Sequence, residues 1–149
     1  GMKVCAFTSK EQSLLPSGVQ KVSKEELFAQ SDFLSLHCPL SETTRDIVCA
    51  KTLALMKPSA IVVNTSRGPL VNQEDMAKAL ELGQIRAYCT DVLTQEPALP
   101  DNPLLKLPNV YFTSHVAWTS FEARKRLIEV AYQGVKEFAE GKRPTNQIN

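Results

Sequence analysis

No G-x-G-x-x-G can be assembled from the glycines of this chain, which stand at positions 1, 18, 68, 83, 134 and 141. A glycine-rich turn that cradles a diphosphate on backbone N–H groups is thereby excluded from these 149 residues. The cysteines, Cys5, Cys38, Cys49 and Cys89, form no C-x-x-C pair, so neither a zinc site nor a dithiol redox motif is indicated. They read as buried or half-buried thiols in a reducing compartment. Charge of one sign is also lacking: 17 Lys+Arg against 16 Asp+Glu leave a formal net charge of +1. That balance offers no electrostatic reason to expect nucleic acid or an anionic membrane as a partner. No apolar run approaches membrane length, and Gly1-Met2-Lys3-Val4 lacks the basic and apolar regions of a signal peptide, so a cytoplasmic location is expected. What remains is 43% apolar residues with both charge signs interspersed, the composition of one soluble globular domain or part of one.

Apolar runs alternate with helical patterns along the chain. Residues 3–7, 32–36, 60–64, 85–89 and 110–113 read as strands, the third being the most apolar. Ser23 and Glu26 have the spacing of a capping box opening a short helix. A helical stretch at 52–56 ends before Pro58, which cannot continue a hydrogen-bonded helix interior. Asn72 is expected to cap a helix reaching Leu82, with Gly83 as its stop. Thr119 and Glu122 make a second capping box, opening a helix to Gly141 with Phe121, Ile128, Ala131, Val135 and Phe138 on one face. Strict alternation, with strands too apolar to have a solvent face, predicts an α/β fold whose parallel sheet is covered on both sides. Ligands bind such sheets beyond the carboxyl ends of the strands. Thr8-Ser9-Lys10, His37-Cys38-Pro39, Thr65-Ser66-Arg67, Thr90-Asp91 and Ser114-His115 all fall there.

Taken singly, each of these residues has an ordinary reading. Arg67 reads equally as a surface cation, His115 as a satisfied structural histidine, Glu96 as a solvated loop carboxylate and Asp91 as a turn cap. Their types also suit one chemistry. A guanidinium grips a carboxylate or keto acid through two parallel hydrogen bonds, which lysine cannot match. An imidazole gives or takes a proton near neutral pH, and a carboxylate beside it favours the imidazolium that carbonyl reduction needs.

Several motifs occur together and in order: Asn64-Thr65-Ser66-Arg67-Gly68, Thr90-Asp91-Val92, Gln95-Glu96-Pro97, Asn102-Pro103-Leu104-Leu105 and His115-Val116-Ala117-Trp118. With Leu36-His37-Cys38-Pro39-Leu40 and residues 53–58 they closely resemble the D-isomer-specific 2-hydroxyacid dehydrogenases over nearly the whole chain. The run from His115 into Glu122-Ala123-Arg124 is most similar to the glycerate dehydrogenase or hydroxypyruvate reductase branch. The resemblance implies that Arg67 holds the carboxylate and carbonyl oxygen of a small 2-hydroxy or 2-oxo acid. It further implies that His115 protonates that oxygen as hydride arrives from NAD(P)H, and that Glu96 orients His115 and keeps it protonated. Asp91 would contact the nicotinamide amide, His37, Cys38 and Pro39 would lie along the adenosine, and Thr65 and Ser66 would approach the cofactor, with Ala117 beside the histidine in the cofactor-binding set. Thr8 stands where the family usually places an acid on the adenosine ribose, and Thr8-Ser9-Lys10 lacks one, so NAD and NADP both stay open, with Thr8 and Ser9 in the cofactor-binding set.

The resemblance covers the family's C-terminal part: residues 1–149 read as a partial dinucleotide-binding domain, with the N-terminal substrate domain absent. In the strand order 3-2-1-4-5-6 the five strands would be the second to sixth. The expected fold is therefore an incomplete Rossmann-like doubly wound sheet lacking its first strand and glycine-rich turn. Loss of that central strand would split the sheet and leave two unpaired edges. Either the strands near Lys3 and Ala60 pair directly, or a neighbouring chain covers the gap. Val4 and Val62 in separate sheets of an isolated chain would count against both. A homo-oligomer is expected. Two classes of function follow: a fragment of an NAD(P)-dependent oxidoreductase not active alone, or a non-catalytic truncated module or corepressor-like interaction protein.

Overall fold

The computed structural model describes residues 1–147. The chain divides into two compact units, Gly1–Ser114 and His115–Asn149. The first unit holds six strands: β1 (Val4–Ala6), β2 (Val19–Lys21), β3 (Phe33–Leu36), β4 (Ile61–Asn64), β5 (Ala87–Thr90) and β6 (Val110–Phe112). It also holds the helices α1 (Lys24–Gln30), α2 (Ala50–Leu53) and α3 (Gln73–Glu81).

All pairings between strands are parallel, as the alternation predicts, yet they form two sheets, β1-β2 and β3-β4-β5-β6. Val4 pairs with Val19, whereas Val62 pairs with Leu34 and Tyr88. The split is realised, and the strands near Lys3 and Ala60 do not pair directly. The expected edges need correction as well. A sixth strand, β2, was not expected, and it takes the place beside β1, so the second open edge belongs to β3 rather than to the strand at Ala60. Only three residues long and half exposed, β2 has no apolar run to announce it. The Gln12 side chain helps hold it, donating to the Val19 carbonyl at 2.8 Å and accepting from Lys21 N–H at 2.6 Å.

One face of the larger sheet is fully buried and the other only partly covered, against the expectation of cover on both. Leu34, Leu36, Val62, Asn64, Tyr88 and Thr90 point into the core with Phe28, Leu53, Leu70, Met76, Ile85 and Leu104. The alternate residues run in register across the strands, Phe33 with Ile61 and Ser35 with Val63, Cys89 and Tyr111, and Phe33 and Tyr111 are 67% and 63% exposed. Side chains alternate between faces with period two, so these form the opposite surface.

Helix ends follow local chemistry. The Ser23–Glu26 capping box forms at α1, and the Asn72 side chain accepts from Asp75 N–H at α3, while Gly83 takes the left-handed conformation (φ 65°) that ends that helix. Asp75 in turn accepts from Ala50 N–H at 2.8 Å, tying the start of α2 to α3. In the second unit α4 (Phe121–Ala139) is capped by Ser120, one residue later than expected. Thr119 is engaged elsewhere: its N–H and its hydroxyl both donate to the Val116 carbonyl. The apolar face of α4 exists but is not buried, Phe121, Ile128, Val135 and Phe138 being 69–76% exposed. Among the described residues no helix is long and apolar enough to cross a membrane.

Candidate active site

Because β3 to β6 run parallel, their carboxyl ends share one edge of the sheet, and the loops leaving it carry most of the residues singled out above. The loops after β4 and β5 are held by buried side chains or buried backbone. At the end of β4 the fully buried Asn64 side chain organises the arginine loop. It donates to the Arg67 carbonyl at 2.9 Å and to the Tyr88 hydroxyl at 3.3 Å, and it accepts from Ser66 N–H at 3.1 Å. A polar side chain with no contact to water must meet its hydrogen-bonding capacity inside the protein, so the loop conformation is tied to the core. The Arg67 side chain is exposed, one guanidinium nitrogen donating to the Ser66 carbonyl at 2.7 Å. The planar group retains further N–H donors for a carboxylate.

The β3 and β4 loops are joined directly, Ser66 donating through its hydroxyl to the Cys38 carbonyl at 2.7 Å. His37, exposed, shares a 2.9 Å hydrogen bond with the Ser35 hydroxyl, and Pro39 accepts from the Thr44 hydroxyl at 2.7 Å. At the end of β5, Asp91 is buried and accepts from the Thr113 hydroxyl at 2.5 Å, which links it to the end of β6. Thr90 steadies the same turn, its hydroxyl donating to the Val92 carbonyl at 2.6 Å and accepting from Val92 N–H. Glu96, on the exposed loop beyond, is drawn back toward the sheet by the N–H of buried Leu93, which donates to its carboxylate at 2.9 Å.

Burial pushes the Tyr88 hydroxyl above its ordinary pKa, and its bonds with Thr90 and Asn64 only partly oppose this. The phenol is therefore neutral and serves as a structural partner of Asn64. Burial likewise raises the Cys89 thiol, keeping it protonated at neutral pH. All four cysteines are free and half-buried, within the burial expected for them.

A cleft of about 470 Å³ opens between the ends of β4, β5 and β6, walled by Val63, Cys89 and Tyr111 and edged by Thr65, Asp91 and Thr113. An apolar wall with a fixed carboxylate suits a flat aromatic ring bearing an amide, so these residues fit the nicotinamide end of a dinucleotide. They do not supply its diphosphate end. Gly18, Gly83 and Gly141, the glycines with positive φ, lie before β2 and after α3 and α4, and none links a strand to the start of a helix.

The structure thus brings Cys38 to Ser66, Asn64 to Arg67 and Asp91 to Thr113. Thr8 and Ser9 lie beyond β1, in the other sheet, where the Thr8 hydroxyl accepts from Lys10 N–H at 3.2 Å. His115 and Ala117 are exposed in the second unit, and His115 adopts a left-handed backbone (φ 55°), uncommon for a residue with a side chain. Asn64, Tyr88 and Thr113 were missed as site residues. For Asn64 the usable signal is an amide closing an apolar strand, and for Thr113 a hydroxyl just past the end of one.

The NAD binding domain model of the D-isomer specific 2-hydroxyacid dehydrogenases matches residues 1–117. A hydroxypyruvate reductase from Blautia hydrogenotrophica is 41% identical over 150 aligned positions that include all of this chain and 46% of the relative. A glyoxylate reductase from Korarchaeum cryptofilum is 42% identical, again over the full chain and 46% of its own length. Among solved structures, the NAD complexed form of a D-isomer specific 2-hydroxyacid dehydrogenase from Lactobacillus delbrueckii ssp. bulgaricus superposes with a TM-score of 0.89 at 26% identity, over 99% of this chain and 48% of the other. The chain spans about half the length of the relatives it matches. A family model extending over most of the chain, with full-length coverage by relatives above 40% identity, makes this chain a member of the D-isomer-specific 2-hydroxyacid dehydrogenase family.

Proposed function

We propose that this chain carries the arginine, carboxylate and histidine of an NAD(P)-dependent reductase of a small 2-oxo acid of the hydroxypyruvate and glyoxylate type. The observation that carries the reading is that Arg67, Asp91 and Glu96 leave one edge of a single parallel sheet, Arg67 tied to buried Asn64, Glu96 to buried Leu93, and Asp91 itself buried and bonded to Thr113. Arg67 binds the substrate carboxylate and carbonyl oxygen through parallel N–H donors. His115, as imidazolium, gives its proton to that oxygen, and Glu96 favours the charged imidazole by its own negative charge. Asp91 accepts from the carboxamide of the ring, with Thr113 holding the aspartate in place. When bound, the nicotinamide supplies hydride to the carbonyl carbon, so that hydride and proton together yield the 2-hydroxy acid.

On the adenosine side, His37, Cys38 and Pro39 with Thr65 and Ser66 form the near wall, and Thr8 and Ser9 meet the ribose. A threonine and a serine followed by Lys10 tolerate a ribose phosphate as readily as a hydroxyl, so both NAD and NADP are admitted. The diphosphate has no cradle among these residues, and the chain alone is expected to bind either nucleotide weakly.

Fluorescence titration with NADH and NADPH, followed by turnover of hydroxypyruvate and glyoxylate, tests the reading. Where turnover is found, Arg67→Ala should lower kcat/KM by about 10²-fold or more, the scale seen when a preorganised donor to a developing charge is removed. An unchanged rate would take Arg67 out of the site. No binding of either nucleotide would leave the chain as a non-catalytic module.

A further inference from the structure

The arginine loop and the glutamate loop meet at a single peptide. Gly68 follows Arg67 and is buried, and a Cβ placed on it would lie 2.0 Å from the Leu93 carbonyl carbon, 2.1 Å from its oxygen and 2.4 Å from Thr94 N. All of these are backbone atoms. No change of rotamer can relieve such an approach, so any side chain at position 68 forces one of the two loops to move. On the other loop, Leu93 N–H donates to the Glu96 carboxylate at 2.9 Å, and Thr94 N–H reaches the Gln73 side chain at 3.4 Å, at the start of α3. On the arginine side, the Arg67 carbonyl is held by Asn64 at 2.9 Å. A continuous backbone bridge therefore runs from Arg67 through Gly68 and Leu93 to Glu96.

We propose that Gly68 is a positioning residue: its missing side chain seats the Leu93–Thr94 peptide directly against the arginine loop, so that backbone contact sets the placement of Arg67 relative to the Glu96 carboxylate. The proposal rests on the reading that these two side chains serve one 2-oxo acid. Its geometric half can be tested without turnover, because Leu93 N–H reports on the Glu96 carboxylate.

The amide shifts of the full chain are followed by NMR from neutral to acid pH. In the wild type the Leu93 amide should show a step as Glu96 takes up a proton, and Glu96→Gln should abolish it. Ser23 N–H, which donates to Glu26 at 2.8 Å, supplies an internal control for the fold. In Gly68→Ala the Leu93 step should shrink to less than half while the Ser23 step is retained. Where the chain turns over hydroxypyruvate, kcat should fall at least 100-fold with the KM for NADH within twofold. If Gly68→Ala fails to fold, the double variant Gly68→Ala/Thr94→Gly, with a freer peptide, should fold yet still lack the Leu93 step. A full Leu93 step in either variant, a wild-type kcat in either, or a wild-type step indifferent to Glu96→Gln would overturn the proposal. Absence of turnover in the wild type counts against the reductase reading instead, and the NMR comparison still decides the role of Gly68.

Discussion

Asn64 illustrates how much of the candidate site hangs on one fully buried side chain. It is fully buried and makes three hydrogen bonds, to the Arg67 carbonyl, the Ser66 N–H and the Tyr88 hydroxyl. Asn64→Ala leaves those partners without their amide in a place water does not reach. The expected loss is about 2–3 kcal/mol, the cost of stranding buried polar groups. A lower urea midpoint with an unchanged m-value would register it, and a midpoint within error of the wild type would show that the loop does not depend on this anchor. Arg67, His115 and Glu96 could be picked out as chemically able from residue type and loop placement alone. The supports of Arg67 and Asp91 could not, because an asparagine, a tyrosine and a threonine declare a partner only once Tyr88 and Thr113 are brought across from neighbouring strands.

Among the elements, α1 is the one most completely written in its own residues. Ser23 accepts from Glu26 N–H, and Glu26 accepts from Ser23 N–H at 2.8 Å. The backbone hydrogen bond from Ser23, reinforced by the Ser23 hydroxyl, holds the Glu26 carboxyl below its ordinary pKa. A group whose folded pKa is depressed stabilises the fold fully above its unfolded pKa and loses that contribution as pH falls through the folded value. Ser23→Ala should thus lower Tm by about 3 °C at neutral pH, as expected for loss of a serine cap. The gap between variant and wild type should narrow as acid protonates Glu26. Thermal melts at pH 7 and pH 3 measure both, and an equal gap at the two values would remove Glu26 from the cap. The start of α4 shows the limit of such reading. Thr119-x-x-Glu122 and Ser120-x-x-Ala123 are both plausible starts, and the choice falls to Ser120 because a turn at Val116 occupies Thr119. The strand β2 is the opposite case, a three-residue element held by β1 and by the distant Gln12 amide rather than by any periodicity of its own.

For the whole molecule the main consequence is that the first unit carries sheets of unequal standing. In the larger one, β5 is paired on both sides and lines a core that includes Tyr88, Leu70, Met76 and Leu104, while β1 and β2 have one partner each and only partly buried residues. Opening free energies track buried contacts and protected hydrogen bonds. Amides of the β1–β2 ladder should therefore exchange about 10²-fold faster than those of β5 in a native-state hydrogen-exchange experiment. Equal protection would mean that the two sheets open as one cooperative unit. The sequence by itself determined the parallel α/β class, the helix caps at Ser23 and Asn72, and the order of loops carrying Arg67, Asp91, Glu96 and His115. These follow from local periodicity and from residue types whose preferences need no distant partner. Only the tertiary structure decided that β2 stands beside β1, that β3 and not β4 forms the open edge, that one face of the larger sheet is only partly covered, and that Gly68 admits the Leu93 peptide. Each of these depends on atoms far apart in the chain, where pairing and close approach leave no periodic trace.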